Sequence, residues 1–156
     1  MKKITMHFII LMFLLLSLTS CRIDKDSSKD IFQYKESYIG NNSAVGGIID
    51  QLPHSKEFKQ MTLQTKKKPY GMVIEYNNSA GDTKSIAINN ATFLFALVKN
   101  LDWITFGFPD EKYTLERDQL QQWYGKDLSD YTNEKDLKNL IQTNLKDKTK
   151  VNQLFI

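Results

Sequence analysis

The chain has 156 residues, with 21 Lys and Arg against 18 Asp and Glu, two histidines and a formal net charge of +3. That length suits one domain with a real core rather than two. The near-neutral balance excludes bulk nucleic-acid binding, which needs a basic face to displace counterions, and the single cysteine excludes an internal disulfide.

Lys2 and Lys3 precede an apolar run from Phe8 through Leu16, followed by Leu18-Thr19-Ser20-Cys21. A basic end, a short apolar core and small residues before a cleavage point are the layout of an export signal. The run is too short to cross a hydrocarbon core of about 30 Å unaided, so a cleaved leader fits better than a permanent membrane helix. Leu18-Thr19-Ser20-Cys21 resembles the lipobox of bacterial lipoproteins, in which the cysteine is acylated on sulfur and heads the processed chain. An ordinary signal peptide with an incidental cysteine and an uncleaved anchor are the competing readings; the position and the absence of another cysteine favour the lipobox. The expected division is a signal peptide over 1–20, a lipidated Cys21 and flexible tether over 21–31, and an extracytoplasmic domain over 32–156. The expected place is the outer face of the cytoplasmic membrane of a Gram-positive cell. Without the leader, nineteen basic and eighteen acidic residues remain, a net charge of +1.

Residues 22–30 are polar and bury too little to offset the entropy of ordering, hence the tether. Asp24, Asp26 and Ser28 imitate the opening of a calcium loop, but Lys29 stands where the turn glycine belongs and Lys35 where the closing glutamate belongs. Val45, Ile48, Ile49 and Leu52 then fall on one helical face, capped by Ser43 and stopped by Pro53. From 60 to 88 the period becomes two: Met61, Leu63 and Thr65; then Tyr70, Met72, Ile74 and Tyr76; then Ile86 and Ile88 beyond a turn-rich Asn77 to Asp82. These predict three antiparallel strands. Asn90 is expected to cap a helix over Ala91 to Leu101, and Trp103 to Phe108 with Lys112 to Glu116 to form a second hairpin. Asp118 is expected to cap a helix ended by Gly125, and a last helix runs from about Asn133 to Leu145. Val151 to Ile156 reads as a final strand or a frayed end. The expected fold is α+β: a single domain whose antiparallel sheet of about five strands carries its helices mainly on one face.

Chemistry is sparse. Nucleophilic catalysis needs a base, and beyond the leader the one histidine is His54, in a loop after Pro53. No zinc, Ser-x-x-Lys or nucleophile-elbow motif occurs, so no metal, no cofactor and no enzymatic activity are expected. Asp110 with Glu111, and Glu116 with Asp118, are the carboxylate pairs on which a cell-envelope glycan hydrolase would depend; turn acids and helix capping explain them with less. Lys66, Lys67 and Lys68 form the one dense basic run, suited to anionic headgroups or wall polymers, or simply to a solvated turn that discourages edge pairing. Tyr34, Tyr38, Tyr70, Tyr76, Trp103 and Trp123 could line a sugar or peptide groove, although aromatics at these spacings are more often core.

The stretch Tyr38 to Ser43, then Val45-Gly46-Gly47-Ile48-Ile49-Asp50-Gln51-Leu52-Pro53, Leu63-Gln64-Thr65 and Pro69-Tyr70-Gly71-Met72, resembles the start of the bacterial domain-of-unknown-function family 4825. Ile104-Thr105-Phe106, Tyr113 to Arg117 and Trp123 to Leu128 continue the likeness. The resemblance implies a binding or sensing ectodomain without catalytic machinery, of the kind found on lipoproteins and on membrane metallopeptidases similar to β-lactam sensors. The expected function is thus a lipid-anchored, non-catalytic binding, sensing or accessory domain, held to the membrane through Cys21 and meeting an envelope protein or glycan. A carboxylate hydrolase and a purely structural lipoprotein are the alternatives.

Overall fold

The Asp30 side chain accepts from Phe32 N and so starts a 3-10 turn, Ile31–Tyr34, in which Ile31 and Phe32 are buried. The computed structural model describes residues 30–78 and 81–155. The leader, Leu18, Thr19, Ser20, Cys21 and the calcium-like Asp24, Asp26 and Ser28 lie outside the described residues. Ile31, assigned above to the tether, already belongs to the core.

Helix α1, Asn42–Ile49, buries Ala44, Val45, Ile48 and Ile49; its cap is Asn41, whose side chain accepts from Ala44 N, rather than Ser43. Two strands follow, β1 (Phe58–Gln64) and β2 (Gly71–Tyr76), paired antiparallel. The expected third strand at Ile86 and Ile88 is instead the start of a 15-residue helix, α2 (Thr83–Leu97). Asp82 caps it by accepting from Ser85 N, and the expected cap Asn90 lies inside it, fully buried. A helix buried all round shows no amphipathic stripe, which is why its first turns read as alternation.

That change decides the topology. A helix of 15 residues rises about 22 Å, enough to carry the chain back past the sheet, so β3 (Trp103–Gly107) lies parallel to β2. β4 (Lys112–Glu116) then pairs antiparallel with β3. The described sheet is four-stranded and mixed, in the order β1-β2-β3-β4, in place of the expected antiparallel sheet of five.

Helix α3 (Arg117–Tyr124) follows β4 directly; Glu116 occupies the cap position without a side-chain bond, and Asp118 lies in the first turn instead of capping. Gly125 ends it at φ +66°, a conformation glycine adopts without a Cβ clash. A 3-10 turn, Leu128–Asp130, leads to α4 (Glu134–Leu145), which lies where a helix is expected and is capped by Asn133, its side chain accepting from Asp136 N. Where a final strand or frayed end is expected from Val151, the described residues instead form a helix, α5 (Lys148–Gln153), capped by Asp147, and a turn through Phe155.

Alternation along the strands separates two faces. Leu63, Met72, Ile104 and Leu115 form one register row, and Met61, Ile74, Phe106 and Tyr113 the next; both rows face the core that α2 shares. Leu128, Leu137 and Ile141 close the core from the C-terminal segment. Its polar members are satisfied. The Asn90 side chain donates to Tyr76 Oη and Pro53 O, and Thr92 pairs with Tyr124 Oη at 2.9 Å. Among the described residues no buried side-chain nitrogen or oxygen lacks a partner.

Candidate functional site

The other sheet face carries a different set of residues. Gln64, Gly71, Trp103 and Glu116 form its end row; Thr62, Val73, Thr105 and Thr114 the middle row; Gln60, Glu75, Gly107 and Lys112 the far row. Most of these side chains are exposed or half-buried, and the two threonines of the central pair bond each other at 2.8 Å, Oγ1 to Oγ1.

Trp103 dominates the end row. A Cβ at Gly71 would overlap Cε2, Cδ2 and Cζ2 of the indole, so the ring lies across the glycine and depends on the absence of a side chain there. Its Nε1–H donates to Pro69 O at 3.3 Å, which fixes the ring's direction. Beside it opens a cleft of about 250 Å³ lined by Pro69, Asp102, Trp103, Glu116, Arg117 and Asp118.

Local structure explains how those groups meet. Asp102 precedes β3; one carboxylate oxygen accepts from Tyr70 N at 2.6 Å, and its own N–H donates to Tyr70 O, which pins the β2 entry to the β3 entry. Arg117 N donates to Asp102 O, which brings the β4–α3 junction, with Glu116 and Asp118, to the same end. The Arg117 side chain turns inward. Nε donates to Leu101 O at 2.8 Å, Nη1 to Phe95 O at 2.6 Å and Nη2 to Val98 O at 2.6 Å, so the fork is spent on carbonyls at the end of α2 and in the segment that leads to β3. Burial pulls its pKa below the usual guanidinium range, opposed by Asp102, Asp127 and Asp118, and the group remains charged.

The sequence-predicted residues fall in three places. Glu116 and Asp118 line this cleft, joined by Asp102. Asp110 and Glu111 sit at the opposite end of the β3–β4 hairpin, where Glu111 accepts from the Thr83 hydroxyl, the bond that chiefly lowers its pKa. Lys66, Lys67 and Lys68 are exposed on the β1–β2 turn, with Lys68 Nζ 5.8 Å from the Tyr70 ring centre. His54 has φ +66° and lies 3.7 Å from Glu57 Oε2, away from the cleft. Among the described residues no three His, Cys, Asp or Glu side chains are grouped to hold a metal ion, and no helix is long and apolar enough to cross a membrane.

Sequence reasoning misses Asp102 and Arg117, and offers Trp103 only as one of six aromatics that could line a groove but are more often core. A usable signal for Trp103 is phase: Ile104 and Phe106 set the core side of β3, so Trp103 and Thr105 point the other way.

A family model described as Domain of unknown function (DUF4825) matches residues 31–118, and the chain belongs to that family. The matched stretch runs from the first 3-10 turn to the first turn of α3, so it contains the whole sheet and every residue of the cleft. No curated protein and no solved structure matches the chain.

Proposed function

We propose that this family member is a lipid-anchored recognition domain, attached through Cys21 to the outer face of the cytoplasmic membrane and contacting an envelope component with the open face of its sheet. The leader and the Leu18-Thr19-Ser20-Cys21 motif support the anchoring. The observation that carries the recognition role is the asymmetry of the sheet: one face packs into the core that α2 shares, while the other holds an oriented indole beside a cleft. Ligand sites are concave surfaces with few, well-placed polar groups, and this cleft supplies an aromatic wall and three carboxylates.

Two experiments test the two halves. Cys21→Ser is expected to lose labelling by a fatty-acid probe and to release protein to the medium; unchanged labelling overturns the anchoring. A photocrosslinking side chain placed at Thr62, on the open face, is expected to capture an envelope component in intact cells, whereas one at Lys138 on α4 captures none. Equal capture from both positions, or none from Thr62, overturns the recognition role.

The carboxylates bordering the cleft support a second reading, a glycan hydrolase using Glu116 and Asp118. A general acid works best from a site withdrawn from water, and both of these residues are exposed, which favours binding over hydrolysis. Release of new reducing ends from cell-wall glycan by the purified chain, lost in Glu116→Gln, would reverse that order.

A further inference from the structure

Resting on the recognition role proposed above, we infer that the ligand is an uncharged glycan, one pyranose ring stacking on the Trp103 indole with its hydroxyls donating to Glu116 and Asp118. The platform is set before any ligand arrives. The indole is seated across Gly71 and held by its bond to Pro69 O, so binding does not have to order a large side chain. The face that continues from it offers hydroxyls and an amide, Thr62, Thr114 and Gln64, all exposed groups that donate and accept as sugar hydroxyls do.

Charge selects among polymers. Lys66, Lys67 and Lys68 lie on the β1–β2 turn at the same end of the sheet as Asp102, Glu116 and Asp118. A polyanion would meet the carboxylates and a polycation the lysines, so each is repelled by one side of the indole. A neutral chain rich in hydroxyls meets neither penalty, presents flat C–H faces to the ring, and finds acceptors in the carboxylates.

The test is a titration of the purified full chain with chitohexaose, a neutral glycan, following the two tryptophan indole N–H signals by NMR. The Trp123 Nε1–H donates to Lys150 O at 2.9 Å, away from the sheet, and serves as the internal reference for folding. The expected result is a saturable shift of the Trp103 signal with the Trp123 signal unmoved. Trp103→Ala, followed by calorimetry with its Trp123 signal intact, is expected to bind about tenfold more weakly or worse, and Trp103→Phe to recover part of the loss. Gly71→Ala keeps the tryptophan but unseats the ring, and is also expected to weaken binding. No saturable shift at the Trp103 signal, or equal affinity in Trp103→Ala, overturns the inference. If chitohexaose fails while the Thr62 crosslinker still captures a protein, the ligand class is wrong and the recognition role stands; if both fail, the role falls too.

Discussion

The two faces of one sheet share the same four strands and differ in nearly everything else. Ile74 and Phe106 point into a core with 0 % of their surface exposed, while of their chain neighbours on the other face Val73 and Glu75 are half-buried and Thr105 is 6 % exposed. The covered face is apolar and close-packed, so its residues are replaceable only by others of similar volume. The open face contains two glycines each overlain by a neighbour's side chain, Trp103 over Gly71 and Glu75 over Gly107. Both stand at strand ends, Gly71 opening β2 and Gly107 closing β3, where a missing side chain weakens the pairing least and leaves room for the neighbour's side chain.

The sharpest way to break that comparison is on the covered side. Phe106→Ala leaves a cavity in the core and is expected to cost about 3–5 kcal/mol in urea unfolding. Next comes the end of α2. Arg117→Leu strips the donors from three carbonyls near the cleft, and a loss of about 2–3 kcal/mol is expected, with water able to recover part because the residue is only half-buried. A loss below about 0.5 kcal/mol would show that this junction does not hold the cleft together.

Smaller effects lie at the helix start and on the open face. Asp82 is held down to about 2 from an ordinary 3.8, first by the bond from Lys148 and further by Ser85, against some desolvation. A carboxylate with a depressed folded pKa contributes stability above its unfolded value and loses it as pH falls, so the window is about pH 4 down to 2. Since the pair is largely exposed, the expected change is at most about 1 kcal/mol, and Lys148→Ala should flatten that part of a pH–stability curve. Thr114→Ala takes away the partner of the Thr105 hydroxyl, which is itself buried, and about 1 kcal/mol is expected from thermal melts.

The parts of the fold legible in the sequence are those where one side of an element meets water. Lys112–Glu116 alternates, and its expected bounds are the observed ones; α4 shows itself from about Asn133 to Leu145 by an apolar stripe of Leu137, Leu140, Ile141 and Leu145. Where burial is complete the pattern vanishes. In α2, twelve of the 15 residues are buried, so Ile86 and Ile88 looked like a strand and the parallel pairing that follows from the helix was lost with them. The membership of Glu116 and Asp118 in one cleft was half visible, as a pair across a junction. Asp102 and Arg117 were not, because their bonds run to Tyr70 N and to carbonyls of Phe95, Val98 and Leu101, and a main-chain target leaves no mark in side-chain spacing.

Adjacent residues on β3 offer the most direct test of the division between the faces. Ile104 is fully buried on the core side, and Trp103 is half-buried on the open side. Urea unfolding of Ile104→Ala and Trp103→Ala is expected to reverse the order that side-chain size alone would give, with about 2–5 kcal/mol lost for the isoleucine and about 1 kcal/mol for the tryptophan. A tryptophan loss equal to or above that of the isoleucine would make the indole a structural cover for Gly71, and would contradict a face held open for a partner.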